Sequence, residues 1–165
     1  MKKIAASFTA ICFSVFLFAQ SKKDIKANKI KSSTEVHVIA GHEADSTYKD
    51  TYMVFDKDGN TIEETKYNPN GTVKKKRIYK FDSNKNKLEE IEYEGNSLQK
   101  KHQYSYNSNG DKTLEVTYDG NNKLIKKEVY IYNNKGLKVE HKIYDGNNTL
   151  IETHKFTYDT SKGSN

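Results

Sequence analysis

The sequence repeats one pattern: two aromatic residues separated by a single residue, followed by a corner rich in Asn, Asp, Gly and Lys. The second aromatic of successive copies is Phe55, Phe81, Tyr106, Tyr132 and Tyr158, so the steps are 26, 25, 26 and 26 residues. A second series, Tyr67, Tyr93, Tyr118 and Tyr144, runs between them at the same interval. This regularity indicates equivalent structural units, each in contact with its neighbours.

Two turn signals divide each period, for example at residues 56–60 and 68–71. Gly and Asn accept positive φ at low cost, and the intervening stretches are rich in the strand-forming residues Tyr, Val, Ile, Thr and Phe. Such short connections join antiparallel neighbours, because a parallel crossover needs about a dozen residues. The sequence therefore predicts an all-β fold, an antiparallel meander of about nine strands built from 26-residue hairpin repeats.

The composition limits how this meander can pack. Only 34% of the residues are hydrophobic, which is too few to fill a core on both sides of the sheet. We expect an open, twisted, partly single-layered sheet that is stabilised by contacts between repeats. A closed barrel is the alternative.

The longer strands of each period share a face pattern, with an aromatic end, a charged centre and an aliphatic end. In one of them the residues of one face are Leu124, Lys126, Glu128, Tyr130 and Tyr132. Because equivalent strands recur every period, their rings should align across the sheet as stacked rows. We define the aromatic ladder as Tyr79, Phe81, Tyr104, Tyr106, Tyr130, Tyr132, Phe156 and Tyr158. The ladder is the predicted binding surface if exposed, and part of a core if buried.

The N-terminus has the features of a signal peptide. Lys2 and Lys3 precede an apolar run over residues 4–18, and Ala19 provides a small residue at the expected cleavage point. The run is shorter than the ~20 residues that span a bilayer. We predict cleavage after Ala19, a flexible arm over residues 20–33 and a β-repeat domain over residues 34–165. Cleavage removes Cys12, the only cysteine. The expected location is periplasmic or secreted, with no membrane span left in the processed chain.

Residues 56–63 are the best candidate for a metal site, because acidic and amide side chains alternate there as in calcium-binding loops. However, Thr61 stands at the sixth position, where Gly is expected, and Tyr67 stands at the twelfth, where Glu is expected. We predict a plain hairpin turn, no metal site and no cofactor. The basic run at 74–77 alternates between the two faces of a strand, so no nucleic-acid partner is expected.

Histidines are the candidates for catalysis. If residues 145–148 close a hairpin that pairs Tyr144 with Thr149, His141 faces Glu152 and His154 faces Val139. A His–carboxylate pair can act as a general base, which would suit a hydrolase. No nucleophile or oxyanion donor is placed beside this pair by the sequence. We therefore predict a solvent-facing cross-strand pair, no catalytic residue and a chain that is not an enzyme.

The segment from Phe55 to Gly71, followed by Tyr79–Lys80–Phe81–Asp82, resembles the YD repeat of RHS proteins. The resemblance covers about residues 48–165, roughly four and a half copies. RHS chains wind many such hairpins into a shell that can enclose a toxin or display a surface. This chain has too few copies for a shell, so the resemblance implies only the strand–turn geometry. A weaker likeness is to MORN-type repeat proteins, some of which are antitoxins.

These observations give two expectations for function. The first is an exported, non-catalytic binding or structural module, whose partner is a protein or a cell-surface glycan. The alternative is an immunity-type or antitoxin-like protein that binds a toxin.

Overall fold

The computed structural model describes residues 21–39 and 46–159, so the predicted signal peptide and His42 lie outside the described residues. The elements are α1 (Lys22–Ala27), β1 (Ser32–Ile39), β2 (Ser46–Phe55), β3 (Thr61–Tyr67), β4 (Val73–Phe81), β5 (Lys87–Glu94), β6 (Ser97–Tyr106), β7 (Lys112–Asp119), β8 (Leu124–Tyr132), β9 (Lys138–Asp145) and β10 (Leu150–Lys155). In this part of the chain, no helix combines the length and apolar character needed to cross a membrane.

The ten strands form one antiparallel sheet in which each strand pairs with the next along the chain. β1 and β10 are its two edges, so the predicted open meander is confirmed and the barrel alternative is wrong. Within the stretch predicted as an arm, Ser21 caps the N-terminus of α1, and β1 already begins at Ser32.

The sheet has a single layer, so both of its faces meet solvent. Among the described residues, the only apolar side chains in the buried class are Ile25 and Phe55. The other buried residues that carry polar or charged side chains are Thr51, Asn60, Thr65, Thr117 and Glu128. Stability therefore comes from contacts between neighbouring strands, in place of a hydrophobic core.

α1 covers the end of the sheet where Phe55 is buried. Ile25 is the buried residue of this short helix, and Lys26 Nζ lies 2.7 Å from Asp58 Oδ1. Gly59 lies against the helix so closely that a Cβ there would be 2.5 Å from the carbonyl oxygen of Lys22. Gly59 also has a φ of +79°, so both the backbone conformation and the space require glycine.

Most hairpin turns share one hydrogen-bonded geometry that begins at an Asp or Asn after the aromatic residue. The backbone N–H of this first residue donates to the carbonyl four residues later, at Asp56, Asn68, Asp82, Asn107, Asp119, Asn133 and Asp145. In all but Asn68, its side-chain Oδ1 accepts a hydrogen bond from the N–H of that same later residue. The fourth residue of each turn has positive φ. The recurrent Asx–Gly corners therefore act as local turn templates.

One turn differs and explains the single step of 25 residues. Between β5 and β6, Glu94 pairs with Ser97 across a loop of two residues that begins with Gly95 at a φ of +56°. In the other hairpins of β2–β10, the last aromatic of the first strand pairs with the residue six positions later, whereas Tyr93 pairs with Leu98, five positions later. The period of 25 residues is thus shorter because this turn is shorter by one residue. Equivalent residues of the strands therefore stay on the same face of the sheet.

Each hairpin from β2 to β10 also contains a β-bulge beside its turn. The bulges pair Leu98, Leu124 and Leu150 with the tyrosines of the shorter strands, Tyr93, Tyr118 and Tyr144. The predicted continuity of these leucines with the ladder on one face is therefore wrong. A bulge adds one residue to a strand without changing its composition, so its trace in the sequence is a break in the alternation of apolar residues, as at Leu88.

The turn geometry predicts unequal effects of two neighbouring substitutions. Asn133 Oδ1 accepts hydrogen bonds from the N–H groups of Lys135 and Leu137, whereas Asn134 is exposed. We expect Asn133→Ala to lower the free energy of unfolding by about 1–2 kcal/mol, because two backbone donors lose their partner. Asn134→Ala, the matched control, should change it by less than about 0.5 kcal/mol. Urea titration followed by circular dichroism measures both, and equal effects would contradict the proposed role of the Asx corner.

Candidate functional site

The aromatic ladder lies on one face of the sheet, called here the ladder face. Seven of its eight side chains are half-buried, and Tyr158, near the open edge, is 47% exposed. The ladder is therefore neither a buried core nor a fully exposed strip. Its rings pack against neighbouring side chains within the layer and remain partly accessible to solvent. No second layer of the described structure covers them.

Lysines stand between the rings of successive copies. Lys87 Nζ lies 5.1 Å from the ring centroid of Tyr79 and 5.8 Å from that of Tyr104. Lys112 bridges Tyr104 and Tyr130 at 5.6 and 4.7 Å, and Lys138 bridges Tyr130 and Phe156 at 5.7 and 4.7 Å. The expectation of ring-on-ring stacking between copies is thus replaced by alternating rings and ammonium groups. These lysines recur at the same 25- and 26-residue interval, a signal that the sequence reasoning missed.

The ladder crosses the strands diagonally, because equivalent residues shift by two positions in each period. Tyr79 pairs with Glu90, and Glu90 pairs with His102, which precedes Tyr104 by two residues. The outer tyrosines fix the lysine backbones: the hydroxyls of Tyr106, Tyr132 and Tyr158 donate to the carbonyls of Lys87, Lys112 and Lys138 at 2.9, 2.9 and 2.6 Å. The ladder is therefore held in a fixed geometry by recurrent contacts.

The first copy departs from this pattern at each of the three positions. Met53 replaces the inner tyrosine, Thr61 replaces the lysine, and Phe81 replaces the outer tyrosine. Because Thr61 is shorter than lysine, space is left between Met53 and Tyr79. The first-copy pocket, of about 330 Å³, occupies this position and is lined by Met53, Thr61, Glu64, Tyr79, Phe81 and Lys87.

The first-copy pocket combines an aromatic ring with polar groups. Burial, together with Glu64 and Glu90, raises the pKa of Tyr79 to about 12, so its phenol is protonated at neutral pH and can donate a hydrogen bond. Glu64 is held near the pocket by Arg77, whose Nη1 lies 3.6 Å away. A ring beside a carboxylate and a hydroxyl is a suitable surface for a sugar, which offers a C–H face and hydroxyl groups.

Two of the three ladder lysines, Lys112 and Lys87, form ion pairs with glutamates. Lys112 Nζ lies 2.6 Å from Glu115 Oε2; burial favours the neutral amine, but Glu115 outweighs it and raises the pKa of Lys112 above its usual value. Lys87 makes the equivalent ion pair with Glu90 at 2.9 Å. At the third equivalent position, Lys138 is followed three residues later by His141 in place of a glutamate. Charge is therefore cancelled at Lys87 and Lys112, whereas Lys138 has no glutamate at the equivalent position.

His141 belongs to a cluster on the same face. Its ring stacks on Tyr130 at 4.5 Å and on His154 at 5.4 Å, and its Nε2 lies 2.7 Å from Glu128 Oε2. Burial alone would raise the pKa of Glu128, but contacts with Lys126, His141 and Tyr130 outweigh burial and hold the pKa below its usual value. The cluster stabilises three adjacent strands.

The predicted partners of the histidines are wrong. His141 pairs with His154 and contacts Glu128, while Glu152 Oε1 lies 3.0 Å from His154 Nε2. The turn contains five residues instead of four, and the bulge after Leu150 adds another, so the register moves by two positions. His102 Nδ1 lies 3.1 Å from Thr117 Oγ1, and His37 stacks on Tyr48.

The remaining sequence candidates serve the fold. Asp56 Oδ1 accepts hydrogen bonds from the N–H groups of Asp58 and Asn60, so the calcium-like segment forms the predicted hairpin turn. Within residues 21–39 and 46–159, no group of three or more His, Cys, Asp or Glu side chains could hold a metal ion. The side chains of the basic run alternate between the two faces of the sheet, as predicted. Lys75 forms an ion pair with Glu92 on one face, and Lys76 forms an ion pair with Glu63 on the other.

The lowered pKa of Glu128 predicts a specific acid sensitivity. A carboxyl whose pKa is lower in the folded than in the unfolded chain stabilises the fold above its unfolded pKa, and this contribution is lost as the pH falls through the folded pKa. Between about pH 5 and pH 3, the free energy of unfolding should therefore fall more for the wild-type protein than for Glu128→Gln. At pH 7 the variant should be less stable by about 1–3 kcal/mol, because charged partners lose an acceptor. Urea titrations across this pH range measure both effects; parallel pH profiles would contradict the assignment.

Neither a family model nor a curated protein sequence matches the chain. Solved structures with weak similarity include TarM (20% identity, TM-score 0.34, covering 79% of this chain and 22% of TarM). A protein of unknown function from Bacteroides fragilis has 14% identity and a TM-score of 0.39, covering 79% of this chain and 96% of that protein. The GtfA/B complex bound to UDP and GlcNAc has 13% identity and a TM-score of 0.30, covering 74% of this chain and 24% of that one. The chain thus spans about a fifth of the length of TarM.

Proposed function

We propose that the chain is an exported, non-catalytic binding module that holds a cell-surface glycan on its ladder face. The observation that carries this proposal is the first-copy pocket, where Thr61 stands in place of the lysine found in the three following copies. There, space opens beside the ring of Tyr79. Along the rest of the ladder, lysine ammonium groups occupy the space between the rings.

The pocket provides the first contact for one sugar ring. The C–H face of the sugar packs on Tyr79. The sugar hydroxyls form hydrogen bonds with the Thr61 hydroxyl and the Glu64 carboxylate. The following rungs supply further donors, since the ammonium groups of Lys87 and Lys112 alternate with phenol rings along the diagonal. Successive ladder rings lie two strands apart, about 10 Å measured across the sheet. This interval suits a linear polymer that lies across the strands and repeats along its length.

The test fills the pocket with the residue that the other copies carry. Thr61→Lys places a lysine where Lys87, Lys112 and Lys138 stand in their own copies, and Tyr79→Ala removes the ring. Thr157→Lys, at an exposed position beyond β10, is the matched control with the same added charge. An array of neutral oligosaccharides of defined linkage identifies a ligand, and titration calorimetry with that oligosaccharide gives Kd. We expect Thr61→Lys and Tyr79→Ala to weaken binding by about tenfold or more, and Thr157→Lys to leave it unchanged.

Circular dichroism spectra and Tm of each variant show whether a loss of binding comes from the changed pocket or from unfolding of the protein. Wild-type affinity in both pocket variants, or an array without a bound oligosaccharide, would overturn the proposal. The alternative function, an immunity-type protein that binds a toxin, gives a different result: the chain would protect cells that co-express a toxin encoded beside it, and Thr61→Lys would keep that protection.

A further inference from the structure

The second face of the sheet, called here the opposite face, carries the other tyrosine series and an excess of lysines. Strand pairing places Lys76 beside Tyr93, Lys101 beside Tyr118 and Lys127 beside Tyr144. At the start of the series, Lys49 Nζ lies 4.5 Å from the ring centroid of Tyr67. The lysine–tyrosine stripe consists of these four pairs: Lys49, Tyr67, Lys76, Tyr93, Lys101, Tyr118, Lys127 and Tyr144. It takes one residue from each strand, β2 to β9.

The stripe differs from the ladder in its charge balance. The glutamates that strand pairing places on the opposite face are Glu63, Glu89 and Glu140, and each forms an ion pair with a nearby lysine: Lys76 at 3.0 Å, Lys80 at 2.6 Å and Lys142 at 2.9 Å. Among the described residues, no ion pair joins Lys49, Lys101 or Lys127 to a carboxylate, and Glu89 interacts with Lys101 only at longer range.

Lys101 and Lys127 are the central lysines of the stripe, and both bond to neutral acceptors. Lys101 Nζ bonds to Asn122 Oδ1 at 3.1 Å, and Lys127 Nζ bonds to Asn148 Oδ1. Within the described parts of the chain, neither ammonium group lies within the 4.0 Å ion-pair distance of a carboxylate. Lys49 likewise bonds to a neutral group, the hydroxyl of Tyr67, at 3.2 Å. Neutral acceptors orient these cations without cancelling their charge, so the stripe is electropositive.

The spacing of these cations suits a linear chain. Lys101 and Lys127 lie two strands apart, and their pairing to β7 is offset by two residues, Tyr118 against Val116. Strand spacing and rise then separate their Cα atoms by about 12 Å along the diagonal. An extended polymer with a regularly repeated anionic group can meet successive lysines at such an interval.

The rings of the stripe indicate which polyanion fits. Lys101 Nζ lies 4.8 Å from the ring centroid of Tyr118, and Lys127 Nζ lies 4.4 Å from that of Tyr144. Single-stranded nucleic acids bind by stacking their bases on open aromatic faces, whereas these ring faces are occupied by ammonium groups. A saccharide chain that carries acidic groups does not require open ring faces. Its acidic groups contact the lysine ammonium groups, and its hydroxyls contact the neighbouring polar side chains. We propose that the lysine–tyrosine stripe binds a linear acidic polysaccharide, whose carboxylate or sulfate groups contact Lys101, Lys127 and Lys49.

The experiment removes the two central charges. The double variant Lys101→Gln/Lys127→Gln is compared with Lys57→Gln/Lys135→Gln, which removes the same charge from exposed turn positions. Binding is measured with polygalacturonate for carboxylates, dextran sulfate for sulfates, uncharged dextran as the blank and a single-stranded DNA of matched charge. We expect at least one acidic polysaccharide to bind and uncharged dextran not to bind. The stripe variant should weaken that binding by about tenfold or more, and the control pair by less than about twofold.

Salt and the pocket variant complete the test. Raising the salt concentration should weaken wild-type binding, and the slope of log Kd against log salt should be smaller for the stripe variant, because fewer counterions are exchanged. Thr61→Lys should bind the acidic polysaccharide as the wild type does, so this proposal and the pocket proposal fail independently. Equal losses in the two double variants, DNA binding as tight as that of the polysaccharides, or binding to neither polysaccharide would overturn the inference.

Discussion

Contacts between adjacent strands within one layer determine the stability of this sheet. A two-layered domain stabilises its strands by burying apolar side chains between the layers, but in the described parts of this chain the buried apolar side chains are Phe55 and Ile25, at the end near α1. Elsewhere, side chains contact partners on the neighbouring strand or within their own strand. The result is a surface on which lysines, glutamates and tyrosines are bound to one another across the strands.

The same constraint explains why the two faces differ in what they offer to a ligand. On the ladder face, Lys87 and Lys112 have glutamate partners in their own strands, so the charges cancel and the rings dominate. On the opposite face, Lys101 and Lys127 rely on the amide oxygens of turn asparagines. A single layer exposes both faces at once, so the proposed neutral and acidic partners do not compete for space.

The sequence predicted the all-β class, the open antiparallel meander and the local turns, because these depend on features within a few residues, such as the Asx–Gly corners. It gave the wrong partners for His141, because one extra turn residue and the bulge at Ile151 change the register without a compositional signal. It also missed Lys112 between two rings, since that contact joins residues of three strands. The pocket at Thr61 depends on the strand pairing, which places Thr61 at the position that Lys87, Lys112 and Lys138 occupy in the other copies.

The turns and bulges have a consequence for how the chain can change in length. In the seven turns that begin with Asp or Asn, the backbone hydrogen bonds that close the turn lie within it, and each strand described here pairs only with its immediate neighbours. Duplication of a gene segment that encodes one period would therefore insert two strands and extend both diagonals by one step. The number of ligand contacts would then change by the set that one period carries. The avidity for a repeating ligand would increase with the number of periods.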